Sequence, residues 1–413
     1  MIISSKQDFK ELKNSILALA ETAKEAKKRN PEVINATIGM LASEDDSFFT
    51  FQTVKKVMAD IDYDKSLSYS DTDGGEKYHE AIKTWLLGDT LPLFTAKKKI
   101  SVIATPGGSG AIALTFQNYL DAFNKVLLPD VMWENYINFA TERGASYQTY
   151  SLYDENGSFN LESLKANILS LYDQERILIV LNDPCENPTG FCMTDKDYDE
   201  LVMMLNNFKD KKIILLMDVA YFDFYNADGR IVRNRYAKLT NLDDHVLTIF
   251  AFSGSKSFGL YGLRIGALLG VHRDEKEISR LHSVMEYSAR STWSNCSQLG
   301  LSIIKELVLN PKYNQMFKDE VKYVSSLLNE RATAFLREAQ KVNLRLLPFE
   351  CGFFVCVPTN DPVGLMNYLH RFNVYVVVTK TAIRIALCSI SVKEASMLPT
   401  IIKTAIEEAG YEN

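Results

Sequence analysis

Between residues 98 and 271 short apolar runs alternate with stretches of helical periodicity, and that alternation restricts the chain to a layered sheet flanked by helices. The runs at 100–104, 125–128, 146–151, 177–181, 213–217, 246–252 and 265–271 read as strands. Segments 109–123, 134–143, 161–172 and 195–208 read as helices, the last capped by Thr194 with acidic residues in its first turn. Several runs, Ile177-Leu178-Ile179-Val180-Leu181 among them, are apolar at every position. Such strands bury both faces, as parallel strands under helical layers do, and right-handed crossovers join them.

Beyond Arg273 the pattern changes. Helical stretches fill 275–341 with no strand between them. Strand-like runs at 343–347, 352–357, 374–379 and 383–387 follow, with helices at 361–372 and up to 409, as expected of a smaller α+β domain. The expected division is an N-terminal segment, 1–48, packing on the small domain, a large α/β domain with a mainly parallel sheet, 49–310, and a small domain, 311–413.

With 413 residues and a net charge of -6, the chain can bury a large core but has no basic excess for a nucleic-acid partner. No apolar run approaches membrane-spanning length, and residues 1–20 are amphipathic and charged without a signal-peptide core. The six cysteines show neither a CxxC pair nor metal-ligand spacing, so reduced packing thiols in a cytoplasmic protein are expected.

Chemistry concentrates after the strand-like runs. Lys256 lies in Ser253-Gly254-Ser255-Lys256-Ser257-Phe258-Gly259, at the mouth of the run 246–252, where open α/β sheets bind ligands. Arg264 follows eight residues later, and a guanidinium is suited to holding a phosphate. Thr105-Pro106-Gly107-Gly108-Ser109-Gly110 follows another strand and opens a helix, an arrangement that presents backbone N–H groups to an anion. The same stretch fits a dinucleotide fingerprint, with Asp130 as the ribose acceptor, so the owner of the phosphate stays open at this point. Asn187 sits in the proline-rich loop Asn182-Asp183-Pro184-Cys185-Glu186-Asn187-Pro188-Thr189-Gly190, which admits a cis peptide before Pro188. Asp218 closes the run 213–217, where an acid can keep a heterocyclic nitrogen protonated or simply cap a turn. Arg384 lies inside a strand-like run: buried it needs a carboxylate partner, while an exposed edge would remove that need.

Together NPTG at 187–190, Asp218-x-x-Tyr221 and SGSKSFGLYGLR at 253–264 resemble the fold-type I, pyridoxal-phosphate-dependent class I aminotransferases, particularly the aspartate and aromatic amino acid aminotransferases. The resemblance runs from about Gly39 to Arg384. It implies that Lys256 is the Schiff-base lysine and the acid/base for the α-proton. Asp218 pairs with the ring nitrogen, and Tyr221 and Asn187 bond the ring's 3-hydroxyl oxygen. Gly108, Ser109, Ser253 and Arg264 hold the phosphate, Trp133 stacks on the ring, and Tyr69 reaches the phosphate of a second subunit. Arg384, with the Gly39 backbone, clamps the α-carboxylate of the substrate; Arg290 crosses the dimer interface to the distal carboxylate. The implied enzyme is a homodimer moving an amino group from aspartate or an aromatic amino acid to a 2-oxo acid such as 2-oxoglutarate. The chain departs from the pattern at Tyr136, where the aspartate enzymes carry a histidine, and in the spacing between Tyr69 and Gly74-Gly75. A pyridoxal-phosphate lyase and, through the Gly108 fingerprint, a nucleotide-dependent oxidoreductase are the competing readings.

Overall fold

The computed structural model describes residues 16–225 and 229–413, so most of the amphipathic stretch 1–20 lies outside the described residues. Two compact units emerge: Phe49–Glu330 with Pro348–Phe353, and Met1–Phe48 with Arg331–Leu347 and Phe354–Asn413. The division falls inside the helix Pro311–Lys341.

In the smaller unit the helix Ile16–Arg29 leads into the short strand β1 (Ile34–Asn35). The larger unit follows with β2 (Lys99–Thr105), β3 (Lys125–Pro129), β4 (Ser146–Tyr150), β5 (Arg176–Asn182), β6 (Lys212–Asp218), β7 (Val246–Ser253) and β8 (Gly266–His272). They form one seven-stranded sheet in the order β2-β8-β7-β6-β5-β3-β4. Strands β3 to β7 run parallel, and β8 lies antiparallel between β7 and β2.

Burial explains the uniform apolar runs. Leu178, Val180, Ile214, Leu216 and Ile249 meet Ile112, Leu114 and Phe116 of the helix Gly107–Tyr119 and Leu281 and Met285 of the helix Glu275–Thr292. The alternate residues Ile177, Ile179, Ile213, Leu215 and Met217 are buried as well, so neither face meets water. Each such side chain contributes about 1.5–3 kcal/mol on burial.

Register then places the polar residues. Asn182 pairs with Asp218, Asp218 with Ala251, and Gly266 with both Ser253 and Thr105. The carboxyl ends of β5, β6, β7 and β2 therefore share one edge of the sheet.

The smaller unit adds β9 (Phe354–Pro358), β10 (Val374–Tyr375), β11 (Val377–Val378) and β12 (Ala382–Ala386). An antiparallel sheet runs β11-β12-β9, while β10 pairs parallel with β1. Two expectations fail here. Residues 343–347 form no strand; Leu347 N–H donates a single bond to Cys356 O at 3.0 Å. The run 374–379 divides between two sheets because its first half pairs with the N-terminal segment and its second half turns back against β12. Arg331, fully buried, ties the unit together: its guanidinium donates to Glu44 Oε1 at 2.8 and 3.1 Å and to the carbonyls of Ala42 and Cys388. Among the described residues no helix is long and apolar enough to cross a membrane.

Candidate active site

The buried run of β7 stops at Ser253, whose hydroxyl accepts from Ser255 N–H at 3.3 Å and starts the single turn Gly254–Ser257. That turn carries Lys256, half-buried, with its ammonium nitrogen 4.7 Å from the ring centre of Tyr261, 5.7 Å from Phe353 and 5.8 Å from Tyr221. Tyr221 follows β6, and Phe353 arrives on the segment Pro348–Phe353. Three aromatic faces thus wall the amine.

One strand over, Asp218 ends β6 with only 5% of its surface exposed. Tyr136 O–H donates to its Oδ2 at 2.7 Å and Ala220 N–H to its Oδ1 at 3.2 Å. Both donors are neutral, and burial pushes the carboxyl up to about 6 against their pull. Burial also holds the Tyr136 phenol well above its ordinary range, so it remains a donor. The tyrosine that departs from the aspartate enzymes' histidine therefore bonds Asp218 itself. Trp133 stands edge-on to Tyr136 with ring centres 5.5 Å apart.

At the end of β5, Asn182 links the two neighbouring elements. Its amide donates to Asp218 O at 2.8 Å and its Oδ1 accepts from Asn187 N–H at 2.8 Å. The one cis peptide among the described residues precedes Pro184, not Pro188 as the sequence suggested. Gly190 closes the loop at φ +77°, and a Cβ there would lie 2.4 Å from the Phe349 ring and 2.7 Å from Cys351 O. Gly190→Ala is expected to destabilise the protein by about 2–4 kcal/mol, from left-handed strain plus overpacking. Urea denaturation checks this; a midpoint within error of the parent contradicts the close approach.

The glycine-rich turn starts its helix at Gly107, two residues earlier than the sequence pattern implied. Gly107 adopts φ +73°, and a Cβ on it would sit 2.6 Å from Arg264 Nη2, while one on Gly108 would sit 3.2 Å from Ser253 Cβ. Arg264, itself left-handed at φ 51°, donates to Ser255 Oγ at 2.9 Å and to Tyr261 O at 3.0 Å. A helix N-terminus, the half-buried Ser109 and a guanidinium thus converge on one place. Asp130, the acceptor demanded by a dinucleotide, instead takes Leu152 N–H at 3.0 Å and fixes the turn after β3.

Three thiols lie beside the Asn187 loop. Cys185 Sγ is 3.3 Å and Cys192 Sγ 3.5 Å from Cys351 Sγ. Burial pushes the first two thiols well up, and hydrogen bonds from Cys185 and then Cys192 bring Cys351 down to about 6.

The remaining expected residues sit on other elements. Tyr69 is 93% exposed, and the adjacent Ser70 carbonyl accepts from Asn295, which in turn accepts from Arg290 at 3.2 Å. Arg290 also donates to Ser294 Oγ at 2.6 Å. In the smaller unit Arg384 is buried on the central strand β12, so no exposed edge relieves it. Its Nη2 donates to Thr37 O at 2.8 Å and its guanidinium lies 4.2 Å from the Phe354 ring centre. Gly39 is half-buried in the same unit. The sequence reading missed Asn182, Tyr261 and Phe353. A polar residue closing an apolar run was a usable signal for Asn182; nothing local marks Phe353.

An amine, a buried carboxylate with neutral donors and an anion cradle along one sheet edge are the donor set that suits an aldehyde, a protonated heterocycle and a phosphate. Pyridoxal phosphate fits these residues. Residues 31–399 match the family described as aminotransferase class I and II. The chain is 25% identical over 363 residues to the aromatic-amino-acid aminotransferase of Escherichia coli, spanning 86% of this chain and 83% of that protein. To the aspartate aminotransferase of Pseudomonas aeruginosa it is 27% identical over 313 residues, 75% of this chain and 76% of that one. Among solved structures, an aminotransferase from Anaerococcus prevotii superposes with a TM-score of 0.93 at 28% identity, covering 98% of this chain and 99% of that chain. With that match extending over most of its length, the chain belongs to the class I and II aminotransferases.

Proposed function

We propose that this chain is a pyridoxal-phosphate-dependent aminotransferase moving an amino group from aspartate or an aromatic amino acid to a 2-oxo acid such as 2-oxoglutarate. The observation that carries the reading is the shared sheet edge, where Asp218 closes β6, Lys256 follows the end of β7 and Arg264 precedes the start of β8. When bound, pyridoxal phosphate supplies an aldehyde and an electron-withdrawing ring.

The chain's own residues do the rest. Lys256 would hold the cofactor covalently, and its amine would accept and return the substrate α-proton. The aromatic faces of Tyr261, Tyr221 and Phe353 limit water around its amine. Asp218, pushed up by burial, gains a positive partner when it pairs with the ring nitrogen, and Tyr136 fixes the carboxyl's orientation. Asn187 and Tyr221 would donate to the ring oxygen, and Trp133 would offer a stacking face. Gly108, Ser109, Ser253 and Arg264 hold the phosphate. Arg384 clamps the α-carboxylate with the Gly39 backbone. A cytoplasmic homodimer completes the reading: the exposure of Tyr69 and its link through Ser70 and Asn295 to Arg290 suit a surface covered by a second copy.

Neither a lyase nor an oxidoreductase is favoured by the relatives. The test is a half-reaction: amino acid alone should change the spectrum of the loaded protein and release one equivalent of 2-oxo acid, with turnover only on adding 2-oxoglutarate. Sustained turnover without an acceptor would overturn the assignment. Arg290→Ala should lower kcat/KM for aspartate by about 100-fold or more through loss of a charge-assisted pair, and change aromatic substrates far less. Equal losses on both would remove the case for a dicarboxylate.

A further inference from the structure

Cys185, Cys192 and Cys351 take no part in the reaction described above, yet their three sulfurs all lie within 4.8 Å of one another. Cys185 lies in the Asn187 loop, Cys192 just beyond it and Cys351 in the distant segment Pro348–Phe353, which docks on that loop through Gly190 O accepting from Glu350 and Cys351 N–H at 3.0 and 3.3 Å. The approach is built into the backbone. Cys185 adopts φ 60°, uncommon for a side-chain-bearing residue, and so directs its thiol toward the partner segment. Gly352 adopts φ +109°, and a Cβ there would lie 2.6 Å from Cys185 Cβ and 3.3 Å from its Sγ. A side chain at 352 would collide with Cys185.

We propose that Cys185, Cys192 and Cys351 form a three-thiolate site for a single thiophilic divalent cation, Zn²⁺ or its soft congeners, with a solvent molecule as fourth ligand. Soft sulfur ligands select such ions over Mg²⁺ or Ca²⁺. A tetrahedral zinc centre with Zn–S bonds of about 2.3 Å needs sulfurs about 3.8 Å apart. The observed pairs at 3.3 and 3.5 Å reach that by moving outward a few tenths of an ångström. Binding is not a redox step: three S–Zn bonds form, and any protons on the thiols pass to solvent.

The carboxyl groups beside the cluster, Asp183 and Glu350, are already engaged, which leaves the fourth position to solvent. Both oxygens of Asp183 already accept, from Met193 N–H and Tyr198 O–H at 2.6 Å each, and Glu350 Oε1 accepts from Tyr225 at 2.6 Å. Cys185 and Cys192 are buried, whereas Cys351 is half-exposed and offers the route in. A simple disulfide would use two of the sulfurs and leave the third without a task.

The test uses the full-length, cofactor-loaded, reduced protein with Zn²⁺ alone as probe. Equilibrium dialysis should give one zinc per chain, and X-ray absorption at the zinc edge should show three sulfurs at about 2.3 Å with one lighter atom. Cys351→Ser should weaken binding by about 100-fold or more, and Cys296→Ser, outside the cluster, should leave it unchanged. Because the absorption spectrum is read on the unsubstituted chain, the result does not depend on a variant folding. A shell of nitrogen and oxygen only, affinity indifferent to Cys351→Ser, or no zinc bound by the reduced protein would each overturn the site.

Discussion

Replacing Lys256 with alanine is expected to cut turnover by about 10,000-fold or more, because it removes both the covalent anchor and the group that carries the α-proton. The fold should survive, since the side chain is only half-buried on a single helical turn. The phosphate cradle of Arg264 and the helix Gly107–Tyr119 stays intact, so the cofactor should still bind, but exchangeably. Borohydride treatment followed by peptide mass spectrometry separates the cases without reference to activity. The parent should carry the reduced cofactor on the Lys256 peptide and the variant should carry none. Labelling of another lysine in the parent would show that the amine at the end of β7 is not the anchor.

Asp218→Asn should pull stability and activity in opposite directions. In the cofactor-free protein burial raises this carboxyl to about 6, above the unfolded value of about 3.9. Folding therefore penalises the charged form. The penalty is absent below about pH 4, grows as pH rises through the folded value, and stays constant above it. A shift of about two units corresponds to about 3 kcal/mol, an upper bound because the single oxygen of Asn can accept from Tyr136 O–H or from Ala220 N–H but not from both. At about pH 8 the cofactor-free variant should thus be more stable than the parent by about 1–3 kcal/mol, an advantage that is lost as pH falls to about 4. Urea midpoints of both proteins across that range measure it. Turnover should fall by about 100-fold or more, because no charge then holds the ring nitrogen protonated. A variant no more stable than the parent at pH 8 would mean Asp218 is not a strained buried charge. Stability held back for a ligand's sake is a familiar feature of active sites.

Much of the site was legible because its parts lie at the ends of strands. A uniformly apolar run stopped by Ser-Gly-Ser-Lys or by an aspartate states its own boundary, so Lys256, Asp218 and Arg264 stand out together in the sequence. The identity of the phosphate's owner was not legible from the glycines alone, since a dinucleotide and pyridoxal phosphate use the same helix N-terminus. What separates the two is the company the turn keeps: Lys256, Asp218 and Arg264 gather at the same sheet edge, where a dinucleotide would give the lysine and the aspartate no task. In the smaller unit, the run 374–379 has the composition of one strand, yet its halves pair with β1 and β12 in different sheets. Hydrophobicity specifies that such a run is buried, not which partner buries it.

By itself, then, the order of residues settled the alternation of strands and helices, the burial of the central strands and the polar groups that close them. Those follow from periodicity and backbone preference, which act over a few neighbouring positions. Tertiary structure alone decided that Tyr136 holds Asp218, that Phe353 walls Lys256, and that Cys351 meets sulfurs 159 and 166 positions away. Contacts of that reach carry a chain-closure cost that no local pattern records, and they form because the folded chain recovers it by burying both partners at once.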